Sequence, residues 1–230
     1  MTTEQPVAMI SGASRGIGAA IAAALRQAGW GLSLGVRRPA ALQAHPDDLV
    51  CRFEALEPGS EAGWVEATRQ RYGRIDALVH SAGIMIEKSV IEADDDDFDR
   101  LFGVNVKAPL RLTRAAWPAL AETKGKVVIL ASLSGKRVKS PRSSLYAMSK
   151  FSAVALSHAI RQCGSEAGIR STAICPGFVA TDMAGSMQGV DLDAVTKPAD
   201  VARIVRLVLE LPASASIAEI PVNWRVEDSY

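Results

Sequence analysis

The stretch VAMISGASRGIG, residues 7–18, passes from an apolar run through three glycines into a segment of helical pattern, and its reading decides the fold. Gly12, Gly16 and Gly18 allow the backbone to turn tightly and to come close to a phosphate. A helix starting near Gly16 aims unpaired N–H groups and the positive end of its dipole at the same spot. Ser14, Arg15 and Ile17 complete the turn and count with the glycines as candidate cofactor contacts. The spacing is G-x-x-x-G-x-G, distinct from the commoner G-x-G-x-x-G. Alone, such a cluster is no more than a tight turn, so its meaning rests on what surrounds it.

Downstream, short apolar runs alternate with longer segments of helical period, the pattern of βαβ units in a parallel sheet buried on both faces. Strands are expected at Val7–Ile10, Gly31–Val36, Leu49–Phe53, Ala77–His80, Lys126–Ala131, Arg170–Cys175 and Ile217–Pro221. Helices are expected at Gly16–Ala28, at Glu61–Tyr72 opened by Ser60, in a long segment ending near Leu120, at Ser144–Ala167 and at Pro198–Leu211. The acidic run Asp94–Asp97 reads as a solvated loop that places negative charge before the following helix. It lacks the alternating acids and central Gly of a calcium loop. With no repeat and no low-complexity linker, residues 1–230 read as one doubly wound α/β domain, a seven-stranded parallel sheet with helices on both faces. In that setting the first turn becomes a dinucleotide cradle, because such sheets bind ligands at the carboxyl ends of their strands.

Composition narrows the function. The chain has 230 residues, 26 Lys+Arg against 25 Asp+Glu and 48% hydrophobic residues: enough for one sizeable core, with no global charge to attract nucleic acid or an anionic membrane. Cys51, Cys163 and Cys175 lie far apart in no disulfide or metal spacing, and His45, His80 and His158 are equally scattered, so no metal site is expected. Met1 to Pro6 has no basic residue preceding an apolar stretch, and the uncharged run Ile17–Leu25 is far short of the ~20 residues a spanning helix needs. A reducing, cytoplasmic setting is the expectation.

The end of the second strand speaks to the cofactor. An acidic residue there would accept hydrogen bonds from the adenosine ribose, but the chain has Arg37 and Arg38, with Arg15 in the glycine turn. Cations suit a 2′-phosphate, so NADP(H) is favoured over NAD(H).

A second group of residues carries the chemistry. In Tyr146-Ala-Met-Ser-Lys150 the tyrosine and lysine share a helix face at i and i+4, where an ammonium would stabilise the phenolate. Ser132 follows the apolar strand Lys126–Ala131, and PGFVATDM, residues 176–183, follows another strand. With SGASRGIG, the Asn105 of GVNVKAP, Ser132 in ILASLSG, YAMSK and PGFVATDM in this order, the chain resembles the short-chain dehydrogenases/reductases from about Val7 to Pro221. The resemblance implies a Rossmann-type domain acting on a small carbonyl or alcohol substrate. It implies that Tyr146 is the proton donor and acceptor, that Ser132 holds the substrate oxygen, and that Lys150 tunes Tyr146 and binds the nicotinamide ribose. Asn105 would sit at a kinked helix and hold a water linking Lys150 to solvent. Ala82 and Gly83 would line the cofactor, and Pro176, Gly177, Val179 and Thr181 would hold its nicotinamide end.

The chain also departs from that family. Its fourth strand ends in His80-Ser81-Ala82-Gly83 where the family commonly has Asn-Asn-Ala-Gly, and His80 reads as a hydrogen-bonded structural residue. Glu54 stands where an aspartate commonly meets the adenine. The final EIPVNWRVEDSY lacks a Gly-rich segment, which leaves a homo-oligomer expected with a dimer at least as favoured as a tetramer. A short lid at about 181–197, with Met183, Met187 and Val190, suits a small or flat apolar carbonyl compound. Between Ser132 and Tyr146, the stretch GKRVKSPR is either a solvated loop or a cationic mouth for an anionic substrate or acidic carrier. Two other functions stay open: a 3-oxoacyl-carrier-protein reductase, and a catalytically idle NADP(H)-sensing protein.

Overall fold

In the computed structural model, which describes residues 5–185 and 191–230, the apolar runs form seven strands. They are β1 (Val7–Ser11), β2 (Gly31–Val36), β3 (Leu49–Arg52), β4 (Ala77–His80), β5 (Lys126–Leu130), β6 (Arg170–Pro176) and β7 (Glu219–Val222). All pair in parallel in the order β3-β2-β1-β4-β5-β6-β7. The seventh starts at Glu219, two residues later than its apolar pattern suggested.

Alternation along each strand sends side chains to opposite faces, and both faces are covered. Met9, Leu78 and Ile129 join one apolar layer with residues of α2 (Ser60–Tyr72), α4 (Ala108–Thr123) and α5 (Ser144–Cys163). Ile10, Val79 and Val128 join the other with α1 (Gly16–Gln27) and α7 (Pro198–Glu210). Two shorter helices, α3 (Asp95–Phe102) and α6 (Asp182–Gly185), complete the fold. Among the described residues no helix is long and apolar enough to cross a membrane.

Several helix limits differ from the expectation for identifiable reasons. The long helix ending near Leu120 is really α3, a π-helical turn at Gly103–Lys107, and α4 reaching Thr123. The acidic run is no loop: Asp94 caps α3 by accepting the Asp97 N–H at 2.8 Å, and Asp97 pairs with Lys88 at 2.5 Å. Ser60 is not the cap of α2. Gly59 is, and its N–H is met by Glu61 at 3.0 Å while Ser60 Oγ donates to the Glu54 and Glu57 carbonyls. Helix α5 stops at Cys163, because the chain turns at Gly164 and packs Ile169 where a Cβ on Gly164 would lie, 2.6 Å from the Ile169 Cβ. Met187, Val190 and residues 1–4 lie outside the described residues, so the expected lid is seen only at Thr181–Gly185 and from residue 191 onward. There Ala180 N–H bonds the Thr196 carbonyl at 2.9 Å.

The strand order reverses between β1 and β4. The first three strands step outward in one direction, and the chain then crosses back to pair β4 beside β1. At that switch the loops after neighbouring strands part to opposite faces and leave a crevice at the carboxyl edge. The glycine turn, His80–Gly83, Ser132 and PGFVATDM follow β1, β4, β5 and β6 at that edge, whereas Asn105 and Tyr146–Lys150 lie on helical segments.

Candidate active site

The glycine turn is held by close backbone approach. Gly12 has φ +69°, and a Cβ there would lie 2.7 Å from the Ala82 Cα, so the loops after β1 and β4 touch only because Gly12 lacks one. A Cβ on Gly18 would meet the Gly12 carbonyl oxygen at 2.3 Å. Thr181 reaches the same turn from β6, its Cγ2 within 3.2 Å of where a Gly16 Cβ would be. The N-terminus of α1 has no side-chain cap and no acidic residue in its first turn. An uncapped helix end beside a cradle that side chains would fill fits a dinucleotide pyrophosphate.

Ser11 was not singled out in the sequence, yet it knits this crossing. Its Oγ accepts from the N–H groups of both Ser81 and Ala82 at 3.2 Å. The hydroxyl thus joins β1 to the loop after β4 where the expected amide side chains are missing. A buried Ser at a strand end just before Gly12 was the available signal.

At the far end of the crevice, Arg37 and Arg38 are exposed beyond β2, and neither side chain has an ion-pair or hydrogen-bond partner among the described residues. Glu54 lies half-buried just beyond β3. Arg15, the third cation in that reading, is paired: its guanidinium donates to Asp182 at 2.8 Å, on the opposite wall.

The four residues matched to the family's catalytic set come together from three elements. Ser132, just beyond β5, accepts the Ser134 N–H at 3.0 Å, which fixes its hydroxyl, and it lies close enough to Tyr146 to oppose the upward shift of that phenol. Lys150 lies one turn along α5, its Nζ 5.7 Å from the Tyr146 ring centre and donating to the Leu130 carbonyl at 2.8 Å. Asn105 sits in the π-helical turn, as the resemblance implied. Its amide is bound to Ile84 N–H and carbonyl at 3.0 Å and to Ser149 Oγ at 3.0 Å. Gly83 adjoins Asn105 and Lys150, a Cβ there lying 3.4 Å from the one and 3.6 Å from the other. Gly135 brings α5 in: its missing Cβ would sit 2.6 Å from the Lys150 carbonyl oxygen.

The electrostatics reverse one expectation. Burial pushes the Tyr146 phenol up to about 12, with the Ser132 hydrogen bond opposing it. Burial lowers Lys150 to about 8. The lysine does not pull the phenol below its ordinary value here, because its Nζ is turned to Leu130 and desolvation outweighs its charge. Tyr146 is therefore a protonated phenol throughout neutral pH, which suits a proton donor.

His80 is fully buried and bonded to Thr113 Oγ1 at 2.9 Å, and burial lowers it to about 3. It is a neutral structural residue, as read. The basic stretch is no open mouth: Lys136 pairs with Glu219 at 2.5 Å, Arg137 with Glu227 at 2.6 Å, Lys139 with Glu227 at 2.7 Å and Arg142 with Glu87 at 3.3 Å. Lys139 and Arg137 hold the Glu227 carboxyl down at about 2. The segment after β7 is thereby strapped onto the Ser132 loop, and Asn223 from it packs against Gly177, its Oδ1 2.9 Å from the place of a Cβ. Pro176 ends β6, Val179 is buried beyond it, and Phe178 between them is exposed.

Known proteins show the same organisation. The family model described as short chain dehydrogenase matches residues 6–189. An agropine synthesis reductase of Rhizobium rhizogenes is 38% identical over 99% of this chain and 54% of its own length. A second one is 36% identical over 93% and 51%. The chain spans about half the length of these curated relatives. The alcohol dehydrogenase from the archaeon Thermococcus sibiricus, complexed with 5-hydroxy-NADP, is similar at TM-score 0.86 and 27% identity, over 98% of this chain and 100% of that one. A 3-ketoacyl-(acyl-carrier-protein) reductase from Brucella melitensis, complexed with NADH, shares the fold at TM-score 0.86 and 22% identity, over 95% and 97%. With a family model matched along most of its length and a nicotinamide-dinucleotide fold in the sheet, this chain belongs to the short-chain dehydrogenase family of oxidoreductases.

Proposed function

We propose that this protein is an NADP(H)-dependent carbonyl reductase, interconverting a small carbonyl compound and its alcohol. The observation that carries the reading is the placement of Ser132 and Lys150 beside the buried Tyr146, at the crevice that Gly12, Gly16 and Thr181 shape for a dinucleotide. When bound, the dinucleotide supplies or takes up the hydride. Tyr146 gives its proton to the carbonyl oxygen as negative charge grows there, and Ser132 hydrogen-bonds that oxygen. Ser134 N–H keeps the Ser132 hydroxyl aimed, so the donors are in place before charge develops. Lys150 and Asn105 hold the floor beneath Tyr146, through Leu130, Ile84 and Ser149.

The unpartnered Arg37 and Arg38 support NADP(H). Both agropine synthesis reductases are named for reduction, which supports the reducing direction. The carrier-protein reading is weakened, since carboxylates of this chain already pair with cations of the loop that would attract an acidic carrier. A cytoplasmic setting fits the three free cysteines.

A panel of small aldehydes and ketones, run with NADPH and NADH, tests the reading. Turnover preferring NADPH, abolished in Tyr146→Phe while NADPH still binds, is the expected result. Retained turnover in Tyr146→Phe refutes the proton donor, and NADPH binding without oxidation across the panel favours a sensing role instead.

A further inference from the structure

Arg15 lies in the glycine turn after β1, and Asp182 opens α6 after β6, so their ion pair spans the crevice from wall to wall. It is one contact of 2.8 Å, with side chains 69% and 74% exposed. Of the three cations assigned to the 2′-phosphate, Arg15 alone has a carboxylate partner among the described residues. We propose that Asp182 is a residue that sets cofactor discrimination: its carboxylate competes with the 2′-phosphate for the Arg15 guanidinium. The inference rests on the NADP(H) reading above.

The physical basis is a difference in what each cofactor must displace. When only a fraction of molecules holds Arg15 free, the affinity of a ligand that needs it falls by that fraction. A 2′-phosphate needs Arg15, whereas a ribose diol does not, so the carboxylate handicaps NADPH selectively. The phosphate wins because it brings more charge and more acceptor oxygens to the guanidinium. A solvated single-contact pair is weak, so the handicap is about two- to fivefold. Thr181 packs on the Gly16 turn independently of the ion pair, which keeps the two walls adjacent when the charge on Asp182 is removed.

The test measures dissociation constants for NADPH and NADH by nicotinamide fluorescence titration at low ionic strength. The proteins are the wild type, Asp182→Asn, Arg15→Gln and the double variant. Asp182→Asn is expected to tighten NADPH about two- to fivefold, to leave NADH nearly unchanged, and to have no effect on either in the Arg15→Gln background. Equal tightening of both cofactors would show plain repulsion from the pyrophosphate, and weakening of both would show a cleft-shaping role; either overturns the inference. So does a gain that persists without Arg15. A wild type that binds both cofactors alike sinks the NADP(H) reading, whereas NADPH preference with a silent Asp182→Asn sinks only the role of Asp182.

Discussion

Buried without a charged partner, His80 ties the fold to acidity at the scale of one residue. Its pKa falls from 6.5 to about 3 on burial, so between those values the unfolded chain binds a proton that the folded chain refuses. Stability is therefore full above about pH 6.5 and is lost as pH falls toward 3, by about 2 kcal/mol between pH 7 and 5. Urea unfolding at those two pH values should show this loss in the wild type and a smaller one in His80→Gln; equal losses would refute it. Lys150 is also depressed by burial, to about 8, so its ammonium is present below that pH and is lost above it. If the charge serves the reaction, reductive turnover should hold steady up to about pH 8 and then fall, and a profile flat through pH 10 would exclude that role. That Tyr146 and Lys150 share one face of a helix could be read from the sequence because their spacing alone aligns them, whereas the part given to Ser132 came from the resemblance. The displaced values could not be read, since desolvation depends on what packs above the side chain.

Among elements, the approach of α5 to the end of β5 matters most, because Ser132 rides on one and Tyr146 with Lys150 on the other. Gly135 sets that spacing, with backbone atoms of Lys150 occupying the place of a side chain at 2.6 and 2.8 Å. Backbone cannot swing aside, so Gly135→Ala should lower stability by about 1–3 kcal/mol. Turnover should fall further than cofactor affinity, since Ser132 and Tyr146 are forced apart while the glycine turn is untouched; turnover and NADPH affinity that both match the wild type would refute this. The sequence carried the strands well, as a short continuous apolar run is a local feature. It carried helix limits less well. The apolar pattern did not show that Gly59 rather than Ser60 precedes α2, which turns on hydrogen bonds to Glu61, Glu57 and Glu54 that periodicity does not register, nor that a π-helical turn at Gly103–Lys107 would place Asn105.

For the whole molecule, an apolar stripe on α5 has no cover among the described residues. Met148, Phe151, Ala155 and Ala159 are exposed along α5, and single apolar residues on a surface are ordinary where a helical stripe of them is not. A second copy of the chain seated there would bury it, in keeping with the expected homo-oligomer. Sedimentation velocity should find the wild type larger than a monomer and Phe151→Glu shifted toward monomer; a monomeric wild type would refute it. By itself the sequence determined the parallel α/β architecture, the glycine turn after the first strand and the alignment of Tyr146 with Lys150 on one helix face, because periodicity and spacing are properties of the chain. Tertiary structure alone decided that Arg15 meets Asp182, that the cations after Ser132 pair with Glu219, Glu227 and Glu87, and that Ser11 accepts from the Ser81 and Ala82 N–H groups. Those pairings join residues far apart in the chain, and charge or hydroxyl chemistry shows its partner only when folding brings the two within a few ångströms.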